Sequence, residues 1–140
     1  MAGTNFKAIW KGFWMGAAIL IGGYTLLLLW VLFGSRQSYY LPGYMRVIVF
    51  LALVMAGFSG GKAARWQGWK HGGWIGAAVA LAAVAINAAL IPQIVSVNQV
   101  VYKLLVGAVT GGAAAVCGVN IAFLQRRGRL GKGNKDKSLY

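Results

Sequence analysis

Residues 12–35 read GFWMGAAILIGGYTLLLLWVLFGS, a stretch that contains no charged side chain. It lies between Lys11 and Arg36 and is long enough for one transmembrane α-helix, which needs about 20 residues to cross the hydrocarbon core. Three more uncharged stretches follow, at residues 47–61, 72–102 and 104–125. This pattern predicts a membrane protein built from helices.

The second uncharged stretch is short for a transmembrane helix, and the third is long. Residues 47–61 are long enough if the helix begins near Gly43 and Arg46 extends to the interface. Residues 72–102 are too long for one straight span, and we expect Pro92 to end that helix. We therefore predict spans at about 12–34, 43–61, 72–92 and 104–125. The fold class is all-α: a polytopic four-transmembrane-helix bundle in residues 1–125, followed by a basic cytoplasmic tail at residues 126–140.

The composition supports the same class. Of the 140 residues 59% are hydrophobic and 11% are charged, whereas about a quarter of a soluble domain is charged. The net charge is +13 and Asp136 is the sole acidic residue. Because the basic residues flank apolar runs and form no continuous basic face, they favour topology signals and contact with anionic lipid over nucleic-acid binding.

The distribution of basic residues predicts the orientation. An even number of spans places both termini on one side of the membrane. With the termini in the cytoplasm, eleven basic residues lie inside (Lys7, Lys11, Lys62, Arg65, Lys70, Arg126, Arg127, Arg129, Lys132, Lys135, Lys137) and three outside (Arg36, Arg46, Lys103). Positively charged loops stay in the cytoplasm, so we predict that the N- and C-termini are cytoplasmic.

Small residues recur at helical spacing in three of the spans. In a bilayer, helices associate through close packing of such residues, since lipid is as apolar as leucine. We predict packing positions at Gly57, Gly60, Gly61, Gly72, Gly73, Gly76, Gly107, Gly111, Gly118 and Asn120. On the third span Ile75 and Val79 are expected to face away from this stripe, and Asn87 to bond the backbone of a neighbouring helix.

The third span begins like the first. Residues 12–18, GFWMGAA, align with residues 72–78, GGWIGAA. One interpretation is a duplication that gives two parallel-repeat helical hairpins. The other is that two helices share Gly and Trp because both begin at a membrane interface.

Residues 57–61, GFSGG, match the G-x-S-x-G pattern of serine hydrolases, and the single histidine, His71, follows. An apolar helix rather than a strand precedes Ser59, and the predicted bundle has no acid to orient the imidazole. We therefore expect that the protein is not an enzyme and that it has no catalytic residue, no metal and no cofactor. We expect Gly60 and Gly61 to end the second helix, Gly68 to interrupt the connection, and Gly72 and Gly73 to begin the third helix.

The connection between the second and third spans is rich in cations and aromatic rings. Such residues collect where a helix meets lipid headgroups. We predict contact with anionic phospholipid or a partner protein at Lys62, Arg65, Trp66, Trp69, Lys70, His71, Arg126, Arg127 and Arg129.

This connection also resembles a known family. Gly60-Gly61, Ala63-Ala64-Arg65 and Gly68-Trp69-Lys70-His71-Gly72 resemble the inner loop of an uncharacterised family of small four-helix bacterial membrane proteins, mostly Gram-positive. Gly111-Gly112 and Gly118-Val119-Asn120 resemble its C-terminal signature. The likeness extends from about Lys7 to Phe123. It implies four transmembrane helices and a bacterial plasma-membrane location, and it implies no activity.

Three functions remain open from the sequence. The first is a non-enzymatic accessory or scaffold subunit of a membrane complex, with a membrane-protein partner or a homo-oligomer. The second is a small oligomeric channel or facilitator. The third, opposed by the surroundings of Ser59, is an intramembrane serine hydrolase.

Overall fold

The computed structural model describes residues 6–33, 41–64, 67–90 and 96–135, and the side chains of 6–33, 41–64, 67–89 and 96–125. The helices are α1 (Phe6–Phe33), α2 (Leu41–Ala64), α3 (Gly68–Leu90) and α4 (Val97–Lys135). No strand occurs in these ranges. Each helix contains a segment that is long and apolar enough to cross a membrane. The predicted fold class, an all-α bundle of four such helices, is confirmed.

Most of the helices extend beyond the predicted spans. α1 begins six residues early and includes Lys7 and Lys11. α4 continues to Lys135, so the boundary proposed at residue 125 lies inside a helix of 39 residues. Charged residues mark where a helix leaves the hydrocarbon, whereas the backbone hydrogen bonds continue into the headgroup layer and the water. The apolar part of α4, Val97–Gln125, ends where the tail was predicted to begin.

The prediction that Gly60 and Gly61 end the second helix is wrong. α2 continues to Ala64, and α3 begins at Gly68 rather than at Gly72. Among the described residues, the left-handed backbone conformation falls on Gln67, with φ 48°, and on no glycine. Gly60 and Gly61 keep ordinary helical geometry, and their missing side chains serve close contact with other helices.

The contacts of the glycines show which helices are parallel and which are antiparallel. Gly12 of α1 faces Gly60 of α2, and Gly23 faces Ile48, so α1 and α2 are antiparallel. Gly76 faces Gly107 and Gly111 faces Gly72, so α3 and α4 are also antiparallel. α1 runs parallel to α3, and α2 runs parallel to α4. The start of α1, the end of α2 and the start of α3 therefore lie at one end of the bundle, which we call the basic end.

Helices α2 and α3 form the centre of the bundle. Each packs against the other and against both α1 and α4, whereas α1 and α4 lie on opposite sides of this pair within the described residues. The apolar core gathers between α1, α2 and α3, around Leu20, Tyr24, Leu53, Ile75 and Val79.

Ile75 and Val79 lie on a different face of α3 from its small-residue stripe, as the sequence predicts, yet both are 0% exposed. A helix at the edge of a bundle has one covered face, but α3 is central and has two. Its small residues Gly72 and Gly76 face α4, while Ile75 and Val79 pack against α1.

The two hairpins α1–α2 and α3–α4 have the same orientation, as the aligned stretches 12–18 and 72–78 would require. Their outer helices differ, because α4 contacts α3 far more extensively than α1 does, whereas the two contact α2 about equally. The duplication itself stays a prediction.

Candidate functional site

The contacts of α4 with α2 and α3 run through small residues at the level of their main chains. We call this contact the glycine seam; it consists of Gly57 and Gly61 of α2, Gly72 and Gly76 of α3, and Gly107, Gly111, Ala115 and Gly118 of α4. All eight are buried. Every buried residue of α4 among its described side chains is thus Gly or Ala.

Distances at the seam show why larger residues do not fit. A Cβ atom placed on Gly111 would lie 2.6 Å from the Gly72 carbonyl oxygen and 2.8 Å from Gly76 Cα. One placed on Gly107 would lie 2.9 Å from the Gly76 oxygen. These neighbours are backbone atoms, which cannot move aside as a flexible side chain can. The seam therefore brings helix backbones together as closely as glycine permits.

A second close contact joins α1 to the central helices. A Cβ on Gly12 would lie 2.7 Å from Ile75 Cδ1 and 2.9 Å from the Ala56 oxygen. A Cβ on Gly16 would lie 2.8 Å from both Ala56 Cβ and Val79 Cγ2. Neither glycine was among the predicted packing positions, although their four-residue spacing is the same signal that indicated the others.

The three remaining predicted packing residues have different surroundings. Gly60 is buried and lies against Ile75 and the Ala8 oxygen. Gly73 is half-buried, and a Cβ there would meet the Ala108 oxygen at 3.9 Å, which is ordinary contact. The Asn120 side chain is exposed.

The polar contact between helices that the sequence analysis missed lies farther along the bundle. The Tyr24 hydroxyl of α1 donates a hydrogen bond to Asn87 Oδ1 of α3, at 3.1 Å. The expected partner of Asn87 was a backbone group, but a side chain on a parallel helix takes that place. Nothing in the local sequence around Tyr24 indicated this pairing, because it depends on the register between α1 and α3.

Cations and indoles surround the basic end. We call this set the basic collar: Lys7, Lys11, Lys62 and Lys70, with Trp10, Trp14, Trp69 and Trp74. All eight side chains are exposed. The Lys70 ammonium lies 5.6 Å from the centre of the Trp69 ring. The predicted contact residues Arg65 and Trp66 lie outside the described residues, as do the side chains of Arg126, Arg127 and Arg129.

His71 behaves differently from its neighbours. The His71 side chain is 6% exposed, while the side chains of Trp69 and Lys70 beside it are exposed to the surroundings of the bundle. Its Nδ1 lies 3.2 Å from the Gln67 carbonyl oxygen, which also accepts a hydrogen bond from the Lys70 amide at 3.1 Å. Gln67 is the residue with the left-handed backbone. His71 therefore sits where it can stabilise the tight connection into α3.

The serine of the G-x-S-x-G pattern lies within α2. The Ser59 hydroxyl donates a hydrogen bond to the Ala56 carbonyl oxygen at 3.1 Å, one turn back in the same helix. Serine hydroxyls in helices commonly satisfy themselves in this way. Among the described residues, no group of three His, Cys, Asp or Glu side chains is placed to hold a metal ion.

Four apolar helices whose outward side chains are largely hydrophobic define a multi-pass membrane protein. Residues 5–118 match a family described as a protein of unknown function, DUF3792. The chain belongs to this family, and the resemblance noted in the sequence is confirmed to that extent. The match covers all of α1, α2 and α3, and α4 as far as Gly118. No curated protein and no solved structure matches the chain.

Proposed function

We propose that this protein is a non-enzymatic accessory or scaffold subunit of a membrane complex. The observation that carries the proposal is the glycine seam, where backbone atoms of α3 leave no room for an added methyl group at Gly111 and backbone atoms of α4 leave none at Gly57. An interior filled by main-chain contacts suits a rigid element that positions other proteins or lipid.

The surroundings of the reactive side chains support the absence of catalysis. The Ser59 hydroxyl is bonded to its own helix, and His71 Nδ1 contacts the backbone at Gln67. A serine nucleophile needs a base within hydrogen-bond reach and a third group that orients that base. Both side chains have structural partners that account for their positions.

The proposal includes a location and an orientation. We place the protein in a bacterial plasma membrane with both termini in the cytoplasm, so that the basic collar contacts anionic lipid on that side. The charge distribution supports this orientation, because basic residues concentrate at the end of the bundle that holds Lys7, Lys62 and Lys70. A partner membrane protein or a second copy would pack on the outward helix faces.

Site-specific cross-linking tests the scaffold role. A photoreactive residue is placed at the exposed positions Ala18 and Ala113, and samples of the same variants that are not irradiated are the control. At native expression, we expect one adduct of defined mass from one exposed position and none without irradiation. Failure of both exposed positions to give a protein adduct would contradict the accessory role.

A further inference from the structure

The charged side chains that the structure describes at the basic end all have one sign. Lys7, Lys11, Lys62 and Lys70 are exposed. The described residues contain no Asp or Glu, since Asp136 lies outside them. These ammonium groups attract a headgroup phosphate, whereas they repel a headgroup amine, which finds no carboxylate among the described residues.

Aromatic rings are the other groups that could receive a headgroup amine, through cation–π contact. In the basic collar three of the four indoles, Trp10, Trp14 and Trp69, contact another ring or a lysine. Lys70 lies over Trp69, and Trp10 stacks on Phe6 at 6.3 Å and meets the edge of Trp14 at 5.8 Å. These contacts reduce the ring surface that an amine could approach.

We propose that the basic collar selects phospholipids whose headgroup carries a phosphate and no amine, the phosphatidylglycerol type. It should prefer them to phosphatidylserine, which has the same net charge but includes an ammonium group. This selectivity rests on the proposed contact with anionic lipid and specifies which headgroup chemistry that contact favours. The ammonium of a zwitterionic or serine headgroup competes with the lysines for its own phosphate, while a glycerol headgroup leaves the phosphate to the protein.

Lipid retention by the full-length protein tests the selectivity. The protein is reconstituted in bilayers of equal parts phosphatidylglycerol, phosphatidylserine and phosphatidylcholine, extracted in mild detergent, and its retained lipids are measured by mass spectrometry. We expect phosphatidylglycerol to be enriched most, phosphatidylserine less, and phosphatidylcholine least.

The other outcomes separate the two proposals. Equal enrichment of phosphatidylglycerol and phosphatidylserine over phosphatidylcholine would overturn the headgroup selectivity and leave the anionic-lipid contact standing. Retention in the proportions of the bilayer would overturn both. Neither result bears on the cross-linking test of the scaffold role, which does not depend on lipid composition.

Substitutions in the basic collar localise the effect. Lys7→Gln together with Lys11→Gln should reduce phosphatidylglycerol enrichment, by about fivefold per lysine if each makes the usual contribution of a basic residue near an anionic surface. Lys70→Glu should raise the share of phosphatidylserine, because it supplies a carboxylate for the amine. Lys103→Gln is the matched control, an exposed lysine at the opposite end of the bundle. If Lys103→Gln reduces enrichment as much as the collar variants do, the selectivity does not reside in the collar.

Discussion

The hydroxyl of Tyr24 on α1 and the amide oxygen of Asn87 on α3 lie 3.1 Å apart, in a hydrogen bond that joins two parallel helices. Tyr24 is buried and Asn87 is half-buried. The same offset of residue numbers relates Gly12 to Ile75 and Gly16 to Val79, which are in contact nearer the basic end. The polar pair and these packing contacts therefore specify one register.

Removing the hydroxyl should weaken the bundle modestly. We expect Tyr24→Phe to lower the free energy of unfolding by about 1 kcal/mol, the usual value of a hydrogen bond between membrane helices. Asn87→Leu should have a similar effect, and the double variant should lose less than the sum because both remove one bond. Thermal unfolding in detergent measures the loss of stability in the two single variants and in the double variant. Thr25→Val is the control, since Thr25 bonds the Ile21 carbonyl of its own helix; additive losses in the double variant would show that the pair does not interact.

Gly111 and Gly22 both lie in apolar helices, but substitution by alanine should change the stability of the protein in opposite directions at the two positions. Gly111→Ala places a methyl group against the backbone of α3, and we expect a loss of about 1–3 kcal/mol, as for overpacked cores. Gly22 has no atom within 4 Å of an added Cβ, so Gly22→Ala should be neutral or stabilise α1 by up to about 1 kcal/mol through helix propensity. Melting temperatures of the two variants in the same detergent test this. Equal destabilisation would mean that the glycine seam is not closely packed.

The sequence predicted the helices well and their ends poorly. Uncharged runs and their lengths depend on the bilayer alone, so four helices followed directly from where Lys11, Arg36, Lys62 and Lys103 stand. The ends depend on tertiary contact. Gly60 and Gly61 look like a helix terminus, yet they continue α2 because Ile75 and Ala115 pack where their side chains would be.

Packing partners were predictable only as a pattern. Four-residue spacing of small residues indicated that α4 packs closely, but it could not indicate which helices it meets. The burial of Ile75 and Val79 and the Tyr24–Asn87 bond both depend on the central position of α3, which no local pattern encodes. The basic collar follows a more local rule, because cations and indoles collect at an interface whatever the packing of the helices. Contact of these residues with lipid or a partner stays a prediction.

The buried position of His71 predicts a structural contribution. His71→Ala removes one of two groups near the Gln67 carbonyl oxygen. Because the Lys70 amide still bonds this oxygen, we expect a loss of about 0.5–1.5 kcal/mol, the net value of one hydrogen bond. His71→Asn should restore part of the loss, because its amide nitrogen can take the place of Nδ1. Unfolding of the three proteins in detergent provides the comparison. Should His71→Ala be as stable as the unaltered protein, the contact to Gln67 would contribute nothing.

The hydrogen bond of Ser59 predicts chemical inertness. Because the hydroxyl donates to the Ala56 oxygen inside α2, a fluorophosphonate probe should not label the protein in membranes. Ser59→Ala should lower the free energy of unfolding by no more than about 1 kcal/mol, the net contribution of one such hydrogen bond. Gel fluorescence after probe treatment is the measurement. Labelling of the unaltered protein that disappears in Ser59→Ala would revive the hydrolase hypothesis.

The placement of the lysines predicts which end of the bundle faces the cytoplasm. Lys70 lies at the start of α3 and Lys103 near the start of α4, at opposite ends, and both are exposed. In a Cys117→Ala background, Lys103→Cys should react with a membrane-impermeant maleimide in intact cells, because few basic residues accompany it on the outer side. Lys70→Cys should react only after the membrane is permeabilised, because it belongs to the basic end.

The reverse pattern would place the basic end outside and contradict the proposed contact of the collar with cytoplasmic anionic lipid. Labelling of both positions in intact cells would indicate two orientations, which the uneven distribution of basic residues opposes.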